Sequence, residues 1–85
     1  MDIKSWKIML AVDDYGSFTR VGAELGYTQS GITQMMKNLE KKVGFPLYIK
    51  DHHGITLTNE AKSLIPAIRT LLNADEVIHQ EIAAL

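Results

Sequence analysis

A mainly α domain is what the 85 residues predict: three short helices, a two-stranded hairpin, then one long helix. Three observations carry this. Apolar residues recur at three- and four-residue spacing in four separate stretches. Each stretch opens on a capping residue or closes on a glycine. Between the third and fourth stretches, two short β-favouring runs flank Asp51-His52-His53-Gly54.

The first helix is expected from about residue 2 to 14, with Ile3, Trp6, Met9 and Leu10 on its apolar face and Gly16 just beyond its end. Ser17 is a good N-cap for a second helix, Phe18 to Leu25, whose buried stripe would be Phe18, Val21, Gly22 and Leu25. Gly22 costs that helix roughly 1 kcal/mol against alanine. It either permits close approach of another helix or is simply tolerated. Gly26 stops the helix and Tyr27 crosses a short turn. Thr28 caps a third helix, about Gln29 to Val43, with Ile32, Met36, Leu39 and Val43 as its buried stripe. Gly44 ends it and Pro46 prevents continuation.

Leu47 to Lys50 and Ile55 to Leu57 read as the strands of a hairpin, with Gly54 in its turn. Such a ribbon is marginal alone and must lean on the helices. Thr58 caps the last helix, expected to run to the end of the chain with a mild kink at Pro66. Ala61, Leu64, Ile68, Leu71, Asp75, Ile78, Ile82 and Leu85 form a heptad seam with one polar break. At 1.5 Å per residue the helix is about 40 Å long, more than so small a domain can cover. The seam packs either back along its own domain or, as its persistence to Leu85 favours, against a second copy. Two regions follow: 1–58 as a compact domain and 59–85 as a linker helix.

Hydrophobic residues make up 46% of the chain, and no apolar run approaches the roughly 20 residues that span a bilayer. Cysteine is absent, so disulfides and thiolate metal sites are excluded. The chain is read as cytoplasmic. A net charge of −1 argues against a simple polycation. The charge is uneven, however: residues 1–58 hold seven Lys/Arg against six Asp/Glu, residues 59–85 two against four. Lys37, Lys41, Lys42 and Lys50 lie close together, so a local basic face is expected on a near-neutral domain.

The composition of the third helix points to function. Gln29, Ser30, Thr33 and Gln34 are mostly middling helix formers, yet they occupy its front half. Two helices joined by Gly26-Tyr27-Thr28 fit a helix-turn-helix, whose second helix enters the DNA major groove by its N-terminal residues. Gln can form paired hydrogen bonds with adenine, and Ser and Thr serve several bases. Lys37, Lys41 and Lys42 follow one or two turns later, suited to phosphate. The plain alternative is a surface helix whose polar face meets water, or a helix-turn-helix used for protein association.

Several runs then resemble one family: Gly16-Ser17-Phe18 with the helix to Leu25, Thr28-Gln29-Ser30 to Thr33, Leu39-Glu40, Gly44-Phe45-Pro46-Leu47-Tyr48, and Leu57-Thr58. In order and spacing they resemble the N-terminal DNA-binding domain of LysR-type transcriptional regulators, over nearly the whole chain. The resemblance implies a winged helix-turn-helix with a long linker helix that forms homodimers on partly palindromic double-stranded promoter DNA. It also implies a following effector-binding domain, absent from these residues, through which a small-molecule effector would act. The base-contacting positions fall on Gln29, Ser30, Thr33 and Gln34. The family often has Arg at the Gln34 position and Gln at the Met35 position. Its wing usually ends the first strand with Arg, matched by Lys50.

Arg20, Thr28, Lys37, Lys41, Lys42, Lys50 and His53 are the expected DNA-backbone contacts. For Arg20 an ion pair with Glu24 is an equal alternative. Leu64, Ile68, Leu71, Ile78 and Ile82 are the expected dimer interface. Asp75 either faces solvent near a symmetry axis or meets Arg69 or Lys62 of a partner. Adjacent His52 and His53 lack converging ligands, so no metal and no cofactor is expected. No phosphate loop, paired-carboxylate motif or nucleophile–base arrangement suggests an enzyme, and Glu40 and Asp51 have no evident partner.

Overall fold

The computed structural model describes residues 2–85. In chain order it comprises α1 (Ile3–Tyr15), α2 (Phe18–Leu25), α3 (Gln29–Val43), β1 (Tyr48–Asp51), β2 (Gly54–Leu57) and α4 (Asn59–Ala83). Local chemistry sets the boundaries. Asp2, Ser17, Thr28 and Thr58 hold extended backbone, and each side chain accepts a hydrogen bond from the backbone N–H three residues on. α1 therefore starts one residue later than expected, because Asp2 caps it rather than joining it. Gly16 ends it in the left-handed conformation.

The core lies where α1, α2 and α3 meet the wing and the first turns of α4. Ile8, Met9, Val12, Val21, Ile32 and Met36 are fully buried there, with Leu47 and Leu57 from the wing. The buried face of α1 is rotated from the expected one. Ile8 and Val12 are buried with Trp6 and Met9, while Ile3 and Leu10 are half-buried. Leu25 is 44% exposed and does not extend the α2 stripe. Gly22 does sit in a close approach, but its neighbour is a turn rather than a helix. A Cβ there would lie 2.6 Å from the Tyr27 carbonyl oxygen and 3.2 Å from the Thr28 carbonyl carbon.

β1 and β2 pair antiparallel, with Tyr48 opposite Leu57 and Asp51 opposite Gly54. The ladder is displaced from the expected runs: Leu47 precedes it, while Asp51 and Gly54 close it. Only His52 and His53 form the turn, where Asp51 Oδ1 accepts from the His53 N–H at 2.8 Å. Asp51 thus has a partner after all. The wing docks by backbone, since Ile55 N–H donates to the Gly16 carbonyl at 2.9 Å. It is also tied to α4, as the Thr58 hydroxyl donates to the Pro46 carbonyl at 2.9 Å.

α4 runs through Pro66 without a break and ends at Ala83, two residues short of the expected end. Its first turns belong to the core through Ala61 and Ile68. Trp6 packs there, in a groove shared with Leu64, Ala67, Ile68 and Leu71. Beyond Leu72 the helix leaves the domain.

Candidate nucleic-acid interface

α3 presents two faces. Ile32, Met36 and Leu39 are buried, and the opposite side carries Ser30, Gln34, Lys37, Asn38 and Lys41, all exposed. Gln29 is exposed at the N-terminal tip, and Thr33 is half-buried beside it. All four expected base-contact residues thus fall in one patch over the first two turns.

Hydrogen bonds hold that patch before any ligand arrives. Gln29 Nε2 donates to Thr33 Oγ1 at 3.0 Å, and Thr33 Oγ1 donates to the Gln29 carbonyl at 3.0 Å. Gln34 Nε2 donates to Asn38 Oδ1 at 2.8 Å. Each Gln keeps one amide hydrogen and its carbonyl oxygen free, the donor–acceptor pair that matches adenine in the major groove. Thr28 Oγ1 accepts from Gly31 N–H at 3.0 Å and lies 3.3 Å from Ser30 Oγ, so its main role here is capping.

The expected backbone-contact residues divide. Lys37 and Lys41 flank one cleft with Glu40, Phe45 and Pro46. Lys50, on β1, shares a second cleft with Gln29, Ser17 and Gly54, which brings wing and reading helix together. Lys42 sits about 100° around the helix from Lys41. It is near enough to Asp2 to help hold that carboxyl below its ordinary range, after the larger effects of the Ser5 hydrogen bonds. Lys42 therefore lies toward α1 rather than in the Lys37–Lys41 group. Arg20 stands over the Tyr15 ring at 5.4 Å, and among the described residues no ion pair joins it to Glu24. His53 is exposed at the wing tip with its ring 4.0 Å from that of His52. Among the described residues no group of three or more His, Cys, Asp or Glu side chains is placed to hold a metal ion.

Lys37 meets both an aromatic ring and a carboxylate. Its ammonium lies 5.2 Å from the Tyr48 ring centroid and 3.9 Å from Glu40 Oε1. Tyr48 first, and then the Glu40 carboxylate, raise its pKa above the ordinary lysine value. Glu40 also has a partner, contrary to the sequence reading: its Oε2 accepts from Leu47 N–H at 2.8 Å. Tyr48, Glu40 and Asn38 are thus site residues that sequence reasoning missed. The signals were faint: an i,i+3 Lys–Glu pair, an i,i+4 Gln–Asn pair, and a tyrosine whose contact lies on another element.

Along α4, Leu71, Ile78 and Ile82 are 42%, 58% and 61% exposed. Leu64 is half-buried beside Trp6. Ile68 departs from the expectation: at 4% exposed it packs inside its own protomer and is not free for a partner. Asp75 pairs with His79 of the same helix at 3.5 Å.

A two-faced third helix, a turn fixed by Gly22 and a wing docked on Gly16 define a winged helix-turn-helix protein. The chain belongs to the LysR family of bacterial regulatory helix-turn-helix proteins, whose model matches residues 3–62. It is similar to the HTH-type transcriptional regulator CzcR of Bacillus anthracis, 32% identical over 78 residues, 91% of this chain and 27% of that protein. It is also similar to the HTH-type transcriptional activator AmpR of Providencia stuartii, 35% identical over 65 residues, 76% of this chain and 22% of that one. The chain thus spans about a quarter of the length of the curated relatives it matches. Among solved structures, the CbnR_DBD-DNA complex superposes with a TM-score of 0.89 at 26% identity, over 99% of this chain and 97% of that one. VV2_1132, a LysR family transcriptional regulator, superposes at 0.90 and 26% identity, over 98% of this chain and 28% of that one.

Proposed function

We propose that this chain is the sequence-specific DNA-binding domain of a LysR-type transcriptional regulator that reads promoter DNA in the major groove as a homodimer. The observation that carries it is the held row of Gln29, Ser30, Thr33 and Gln34 on the outward front of α3. The match to CbnR, solved on DNA, supports the same reading. Residues 1–58 form the reading domain, and 59–85 form the linker that pairs two copies. Lys37, Lys41 and Lys50 supply phosphate contacts beside the reading helix, with Thr28, Arg20 and His53 at its margins and Lys42 toward α1. The regulator works in the cytoplasm, carries out no catalysis and needs no cofactor. No helix among the described residues is long and apolar enough to cross a membrane. A small-molecule effector acts through a further domain of the regulator, outside these residues.

Selection from pooled random duplexes, followed by sequencing, tests the reading. The native chain should enrich a two-fold symmetric motif. A Gln29→Ala/Thr33→Ala variant, still folded, should lose it, since each good paired contact gives about 1–3 kcal/mol of base discrimination. No enrichment by a folded, dimeric native chain at low salt would instead favour a helix-turn-helix used for protein association.

A further inference from the structure

Side chains from three elements meet where α3 passes into the wing. Glu40 Oε2 holds the Leu47 N–H at 2.8 Å, and Leu47 is fully buried. The next residue, Tyr48, is therefore anchored at its backbone. Its ring is anchored too, meeting Phe18 at the start of α2 edge-on, with centroids 4.9 Å apart and planes at 75°. Onto this fixed ring comes the Lys37 ammonium, 5.2 Å from the centroid, with Glu40 Oε1 3.9 Å away. A lysine on a helix surface ordinarily samples many rotamers and loses that freedom when it binds. Here two partners on two elements confine it beforehand, while its side chain remains more than half exposed. Lys37 lies one turn beyond Thr33 and Gln34, so its charge stands between the reading row and the wing.

We propose that Tyr48 is a positioning residue for duplex binding: it holds Lys37 at the junction of α3 and the wing as a fixed anchor for a backbone phosphate. The inference rests on the DNA-binding reading above. The contact is between the ammonium and the aromatic ring, so a leucine at this place would keep apolar bulk beside Phe18 but lose the ring face. The ring face is thus the separable part of the contact. Glu40 is itself held in place, because its other oxygen accepts from the Leu47 amide.

The test is a double-variant cycle with Tyr48→Leu and Lys37→Gln, measured on a duplex enriched by the native chain across a salt series. Thermal unfolding confirms that each variant is folded. Lys37→Gln should reduce the slope of log affinity against log salt by about 0.9 per protomer, the loss of one phosphate contact. Tyr48→Leu should weaken binding about threefold or more in the native background, within the range of coupled neighbours, and have no further effect once Lys37 is Gln. The Lys37 ammonium signal in nitrogen-15 NMR should broaden or shift in Tyr48→Leu, which a purely structural role would not require. Equal weakening in both backgrounds, or no weakening in either, would overturn the positioning role. A native chain that binds with a salt slope unchanged by Lys37→Gln would overturn the anchor and leave the DNA-binding reading standing. Absence of salt-dependent binding by the native chain would remove both.

Discussion

Gly22 shows how a single missing methyl group settles a turn. By helix propensity, Gly22→Ala in the middle of α2 should stabilise the protein by about 1 kcal/mol. The added Cβ, however, would lie 2.6 Å from the Tyr27 carbonyl oxygen. That neighbour is backbone, and Tyr27 is itself fixed by its N–H bond to the Gly22 carbonyl at 2.8 Å. The steric term should therefore win. Gly22→Ala is expected to destabilise by about 1–3 kcal/mol, as overpacking of a filled site does. For a domain of this size each kcal/mol moves the Tm by roughly 4–8 °C, so thermal unfolding decides the sign directly. An unchanged or raised Tm would mean the turn yields freely. The sequence could mark Gly22 as a cost to the helix, but the atom it spares belongs to a turn, and no periodicity reports on that. The same holds for Glu40, whose partner is the backbone amide of Leu47 and leaves no complementary side chain to notice.

Elements were legible where a side chain caps its own helix. α2 and α3 begin and end as expected because Ser17, Gly26, Thr28 and Gly44 act within a few residues of themselves. The wing was less legible: Asp51 and Gly54 are poor strand formers by type, and only their cross-strand pairing makes them the last rung. Of the site, the outward row of α3 followed from helical period alone. The Lys37–Tyr48 contact and the placing of Lys42 toward α1 depend on how elements pack. α1 adds a pH dependence that belongs to a single cap. Asp2 Oδ1 accepts from Ser5 N–H at 2.9 Å and from Ser5 Oγ at 2.8 Å, and these bonds hold its pKa below the ordinary carboxylate value. A group with a depressed folded pKa stabilises above its unfolded pKa and loses that contribution as pH falls through the folded one. The first turn of α1 should therefore loosen below about pH 4, the ordinary carboxylate range. The Ser5 amide shift, followed by NMR, should titrate with a midpoint below that of an unpaired Asp. Asp2→Asn keeps a capping oxygen and should abolish the titration. A midpoint at the unpaired value would mean the cap is not held in solution.

At the scale of the whole molecule, α4 is one helix with two environments. Its first turns are core and its last turns are exposed, in a molecule that with α4 included extends 48 × 26 × 20 Å. A single heptad therefore serves two purposes, and substitutions along it should separate them. Ile68 is 4% exposed, so Ile68→Asp buries an unpaired carboxyl in the protomer and should prevent folding at any concentration. Ile78 is 58% exposed, so Ile78→Asp costs the protomer almost nothing. Covering such a residue in an interface contributes up to about 1.5–3 kcal/mol per side chain, and two copies lose it together. Ile78→Asp should accordingly sediment as a folded monomer where the native chain sediments as a dimer. Linked half-sites gain avidity of about 10²–10⁴ only when both modules are joined. The variant should therefore lose affinity for a duplex carrying both half-sites and bind a single half-site as the native chain does. Asp75 already interrupts the seam, paired to His79 at 3.5 Å, so the exposed seam positions Ile78, Ile82 and Leu85 are expected to carry most of that association. A dimer that survives Ile78→Asp together with Ile82→Asp would place the interface elsewhere, with the Trp6 groove beside Leu64 and Leu71 the next surface to vary.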